Sequence, residues 1–152
     1  MREQIDIAAP PEVVWEYLKS PAAMARWNAN VRDASDKPFV EGRAYEATFL
    51  MDGGKQAAKG VVQRCDPPLR KVPGALALKL HPREGEVDRY VVESYSLTPT
   101  ATGTRLVMNI DLSRAVPLWA RALIGFIRAV GTPVGKPFLE RLKELAEADA
   151  KQ

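Results

Sequence analysis

Apolar and polar positions divide the chain into one strand, two short helical segments, a run of strands and a long helical stretch. Gln4-Ile5-Asp6-Ile7-Ala8 alternates polar and apolar and predicts a first strand. Ala9-Pro10-Pro11 stops it, and either proline suits the first turn of a helix, where a missing N–H costs nothing. Val13, Val14, Tyr17 and Leu18 recur at helical spacing beside Trp15, which predicts a helix of about two turns ended by Ser20-Pro21. Residues 22–27 form a second short helical turn with Ala23, Met24 and Trp27 on one side. Val31 to Val40 is irregular and contains Pro38, so it is at best an edge strand.

Strands follow. Glu41-Gly42 marks a turn, and Arg43 to Met51 then sets Tyr45, Ala47, Phe49 and Met51 on one face. Asp52-Gly53-Gly54 is the strongest hairpin signal in the chain, and Lys55 to Cys65 pairs back until Asp66-Pro67-Pro68. Ala75 to Leu80 alternates with Leu76, Leu78 and Leu80 on one face. Val87 to Leu97 is a long strand, Thr98 to Gly103 a loop, and Thr104 to Leu112 the last strand. There Leu106, Met108, Ile110 and Leu112 share one face, against Arg105, Asn109 and Asp111. Strands joined by short connections pair antiparallel, and the apolar face of such a sheet must be covered. The one element long enough to cover it is the helical stretch from Val116 to Glu147, interrupted near Gly131, Pro133, Gly135 and Pro137. That break bends the helix or gates access to the face beneath it.

Composition narrows the class. The chain of 152 residues is read as a single domain over 1–152, with an ordinary apolar fraction and a net charge of +3. Lys and Arg are dispersed, so no nucleic-acid footprint is expected. Cys65 is alone, which excludes an intramolecular disulfide and fits a reducing, cytoplasmic setting. It reads as a small apolar filler in a strand. No secretory signal and no spanning run of about 18 apolar residues is seen, so stable membrane insertion is not expected. Arg121 and Arg128 interrupt the most apolar stretch; they would also suit a helix lying at a membrane surface.

The opening IDIAAPPEVVWEYLKSPAAMARWNANV resembles the START-like (SRPBCC) superfamily. That superfamily includes the birch-pollen allergens, lipid-transfer START domains and bacterial polyketide cyclase/dehydrase-like proteins. Pro10, Pro11, Val14, Trp15, Leu18, Pro21 and Trp27 carry the likeness; Tyr95-Ser96-Leu97, Gly103-Thr104-Arg105-Leu106 and the terminal helix extend it over nearly the whole chain. The resemblance implies an α+β helix-grip fold: a seven-stranded curved antiparallel sheet around a long, kinked C-terminal helix, with two short helices after the first strand. It also implies a cavity for a lipid, polyketide or other small hydrophobic molecule, and no universal catalytic motif.

Candidate chemistry is sparse. One His (His81, read as solvent-facing), one Cys and scattered carboxylates show no metal-ligand spacing, and no phosphate loop is present, so neither metal nor cofactor is expected. If Leu97 faces the core, alternation brings Tyr95, Glu93 and Val91 with it; the opposite register turns Tyr90, Val92 and Ser94 inward. The first register makes Glu93 and Tyr95 acid–base candidates. A strand twist, or pairing with Arg89, would remove Glu93 from that role. Trp27, Tyr45, Phe49, Met108, Leu123 and Ile127 join them as a cavity lining, or equally as a filled core, with Trp119 and Phe126 as further contributors. Three readings follow: a hydrophobic-ligand binder, a polyketide cyclase/dehydrase-type enzyme, or a ligand-free interaction module. A homodimer is left open.

Overall fold

The computed structural model describes residues 2–32, 34–51, 54–81, 88, 90–111 and 136–152. Seven strands form one antiparallel sheet: β1 (Arg2–Ile7), β2 (Val31–Arg32), β3 (Ala44–Met51), β4 (Gly54–Asp66), β5 (Gly74–His81), β6 (Val91–Thr100) and β7 (Gly103–Asp111). Their order is β1-β7-β6-β5-β4-β3-β2, and the sheet is curled. Helices α1 (Pro11–Trp15) and α2 (Pro21–Ala25) follow β1, and α3 (Lys136–Ala150) closes the chain. This is the expected helix-grip α+β architecture.

The sequence dictates the corners. Pro11 opens α1 and Pro21 opens α2, each in the first turn where no N–H is needed. Ser20 caps α2 by accepting the Ala23 N–H at 3.0 Å, so the pair read as the end of one helix starts the next instead. Gly42, at φ 83°, makes the expected turn before β3. The β3–β4 ladder closes at Met51 opposite Gly54, a two-residue connection as the Asp52-Gly53 signal demands.

Several boundaries differ from expectation; α1 ends at Trp15, short of the expected Leu18, and α3 runs past Glu147 to Ala150. The stretch 31–40 yields only the two residues of β2, because the chain beyond Arg32 turns toward α1 and α2. Strand β6 starts at Val91, with Asp88 in a turn and Tyr90 irregular. At its other end β6 runs through the expected loop: Thr98 to Thr100 pair with Arg105 to Gly103, leaving a two-residue turn at Ala101-Thr102. The first part of the long helical stretch, with Leu112 and residues 131–135 of the expected break at 131–137, lies outside the described residues, while Pro137 falls in the first turn of α3.

The inner face of the sheet carries Leu76, Leu78, Tyr95, Leu97, Leu106 and Met108, all buried. Phe138, Leu139, Leu142 and Ala146 of α3 join the same core, and α3 packs against β1 and α1. Polar contacts fix that packing. The Ala8 N–H donates to Glu147 at 2.9 Å, Lys143 Nζ to the Asp6 carbonyl at 2.9 Å, and the Tyr17 hydroxyl to Asp149. The opposite face is polar as read, with Arg105 paired to Asp6 at 3.0 Å.

Candidate functional site

Glu93 stands in mid-β6, opposite Leu78 on β5 and Ile110 on β7. Leu78 is 3% exposed, so this row faces the core. Alternation carries Tyr95 (2% exposed) and Leu97 (0%) to the same face, and the register that would turn Val92 and Ser94 inward is excluded. Ser94 Oγ instead donates to the Asn109 carbonyl, beside an exposed side chain.

Among the described residues the inner face holds two partly buried carboxyls, Glu3 on the edge strand β1, opposite Met108, and Glu93 in mid-sheet, where it stands among apolar and aromatic groups. The Tyr95 hydroxyl donates to Glu93 Oε1. Trp27 meets the Tyr95 ring edge-on, with centroids 6.2 Å apart and planes at 84°, and its Nε1–H donates to the Tyr17 carbonyl at 2.7 Å. Met108 lies opposite Tyr95 on β7. Tyr45 reaches the group from β3, because Gly60 lies opposite it on β4. A Cβ on Gly60 would stand 2.5 Å from Tyr45 Cζ and 2.7 Å from its hydroxyl, so only glycine lets that ring lie across the strand. Phe39 braces Tyr45 from the other side, edge-on at 5.2 Å.

Burial raises the Glu93 pKa, and the hydrogen bond from Tyr95 offsets only part of that rise. Burial first and the Glu93 charge second push the Tyr45 and Tyr95 phenols far above their usual range. These groups are thus biased toward their neutral forms. A carboxylic acid with a phenol beside it can orient a carbonyl or hydroxyl on an otherwise apolar molecule, and once ionised the carboxylate can accept a proton.

A carboxyl whose folded pKa is raised contributes its stability in full below the unfolded value and loses it as pH rises through the folded one. Glu93→Gln stays neutral throughout. The variant should melt above the parent near neutral pH, and the gain should shrink to little at about pH 4, where the unfolded carboxyl is also largely protonated. Thermal melts from about pH 4 to about pH 8 check this; a pH-independent difference would mean that Glu93 titrates alike in both states.

The other sequence candidates divide. Phe49 is partly buried farther along β3, opposite Gln56, away from the Glu93 group. Leu123, Ile127, Trp119, Phe126, Arg121, Arg128 and Arg89 lie outside the described residues. Cys65 packs against the core as a filler, its thiol pushed up mainly by burial, with Sγ 3.5 Å from the Phe39 carbonyl. His81 is only partly exposed, because Tyr90 turns its ring to within 5.9 Å of the imidazole. Among the described residues no group of three or more His, Cys, Asp or Glu is placed to hold a metal ion. The sequence reading missed Gly60, whose signal was available: a glycine inside a strand marks a close approach.

The sequence matches the family described as polyketide cyclase / dehydrase and lipid transport over residues 1–147. The chain belongs to that family. The likeness carried by the Pro10-Pro11 to Trp27 opening is thereby established, since the described helix-grip fold and the polyketide cyclase / dehydrase and lipid transport family agree over its length. Protein MLL2253 from Mesorhizobium loti is similar in structure, with 23% identity, TM-score 0.63, and coverage of 97% of this chain and 96% of that one. Protein NE0264 from Nitrosomonas europaea has 16% identity, TM-score 0.64, and coverage of 100% and 96%. DynU16, a protein of the dynemicin biosynthetic locus, has 17% identity and TM-score 0.61; the match spans 99% of this chain and 48% of that one. At these identities the likeness shows the fold. Among curated proteins none matches. No helix among the described residues is long and apolar enough to cross a membrane.

Proposed function

We propose that the protein binds a small hydrophobic molecule carrying one polar group, held between the inner face of the sheet and the C-terminal helix. Glu93 and Tyr95 orient the polar group, and Trp27, Tyr45 and Met108 form the apolar wall beside them. The observation that supports this best is the Glu93–Tyr95 pair, a polar couple set in mid-sheet among buried apolar and aromatic side chains. Such a face gains about 25 cal/mol per Å² of apolar area removed from water, before ordering costs, while a few polar groups supply orientation.

Nile red, a neutral dye with a ring carbonyl, tests the reading. It should bind with one-to-one stoichiometry, and Glu93→Leu should weaken it about tenfold, the worth of one hydrogen bond to a buried acid. No saturable binding, or equal affinity in the variant, would overturn the proposal. The raised Glu93 carboxyl also favours a second reading, a polyketide cyclase/dehydrase-type enzyme with Glu93 as acid–base group and Tyr95 beside it. Glu93→Gln should then abolish turnover of a polyketide substrate with little loss of binding; unchanged turnover sinks that version.

A further inference from the structure

A second compartment lies at the beginning of β3, beyond the reading above. Among the described residues the β2 ladder covers only Phe49 and Thr48 of β3, so the first half of that strand has no ladder partner on its outer edge. The segment 34–40 passes there, touching the sheet at Phe39 but with backbone bonds to the helices. Ser35 accepts the Ala22 N–H at 2.9 Å, and the Phe39 N–H donates to the Lys19 carbonyl at 2.7 Å. These bonds hold the segment to the α1–α2 side and leave a cavity of about 670 Å³ between it and the sheet. That volume falls within the roughly 300–1,000 Å³ that suits small ligands.

The cavity has two chemical halves. Phe39, Tyr45 and Val62 make an apolar lining, with Tyr45 at the end nearest Glu93. Lys37, Arg43 and Lys59 also line it, against the single carboxylate of Glu46, which stands opposite Lys59 in the β3–β4 register. The Lys37 and Arg43 side chains are exposed, and neither has an ion-pair partner among the described residues. A cation would be repelled here, and a wholly apolar ligand would leave both cations unused.

We infer that this cavity binds an amphipathic carboxylate. The apolar body lies along Phe39, Tyr45 and Val62, and the carboxylate stays at the mouth with Lys37 and Arg43. The reverse orientation would bury the carboxylate among Phe39, Tyr45 and Val62, away from both cations. The contact is charge-assisted and half-open, so its contribution falls as salt rises.

Decanoate and 1-decanol, which share one chain length and differ in the charged end, test this by calorimetry at low salt. Decanoate should bind at least about tenfold more tightly than decanol. The double variant Lys37→Glu/Arg43→Glu, altered only at exposed positions, should erase that preference and leave decanol unaffected. Decanoate should shift the amide resonances of Phe39, Tyr45 and Val62, and Glu93→Leu should not change its affinity. Equal affinities for the two probes, decanoate binding indifferent to the double reversal, or shifts confined to β6 and β7 would each overturn the assignment. Failure of Nile red binding would leave this result standing, so the two sites are judged separately.

Discussion

Trp27→Ala should lower the unfolding free energy by about 3–5 kcal/mol, the range for removing a large buried aromatic side chain. Trp27 is 3% exposed and edge-packed on Tyr95, so truncation leaves a void beneath the ring that holds Glu93. It also strips the Tyr17 carbonyl of the indole N–H donated to it at 2.7 Å. The two losses separate by experiment. Trp27→Phe keeps most of the ring contact and drops the donor, so it should cost about 1–3 kcal/mol. Urea melts of both variants check the pair. Equal costs would place the whole effect in the hydrogen bond, and a cost below about 1 kcal/mol for alanine would mean that the core closes over the void. The alanine variant should also weaken Nile red binding, because Tyr95 loses its support.

Gly103→Ala should cost about 3 kcal/mol or more, at or beyond the top of the usual overpacking range. A Cβ at Gly103 would lie 2.1 Å from the Ile7 carbonyl oxygen and 2.8 Å from the Ala9 nitrogen. Both are backbone atoms, and backbone cannot swing aside as a side-chain tip does. The backbone there, at φ 157°, is also one that side chains rarely adopt. The neighbouring buried Thr104 ties the same corner by donating to the Ala9 carbonyl at 2.7 Å, so a shift that relieves one contact strains the other. Thr102→Ala, one residue earlier and exposed, should change stability by less than about 0.5 kcal/mol. A Gly103→Ala protein as stable as its parent would show that the β1–α1 corner is looser than these distances allow.

The sequence exposed much of this architecture because several strands bury one face cleanly. Leu76-Leu78-Leu80 and Leu106-Met108-Ile110 alternate without exception, and their pairing could be read as it stands. Strand β6 was ambiguous, since Val91-Val92-Glu93-Ser94-Tyr95-Ser96-Leu97 offers an apolar residue to either face at its start. Only the cross-strand partners Leu78 and Ile110 decide the direction of Glu93. Strand β4 defeats alternation outright. Its register shifts between Val62 and Arg64, so Val62 and Cys65, three residues apart, both turn toward the core. The second cavity was illegible for a different reason. It depends on which carbonyls the irregular segment 34–40 meets, and those contacts reach back to Lys19 and Ala22 rather than following any local pattern.

The clasp between the ends of the chain has a kinetic consequence. β1 pairs with β7, from Arg2 opposite Asn109 to Ile7 opposite Thr104, and α3 then docks on β1 through Lys143 and Glu147. During synthesis the first strand therefore waits, without its ladder partner, until nearly three-quarters of the chain has emerged. The native sheet therefore cannot grow outward from the N-terminus, and β1 joins its ladder only once β7 is present. Loop closure over such separations is slow, and until it happens the paired edge of β7 stands open to other chains.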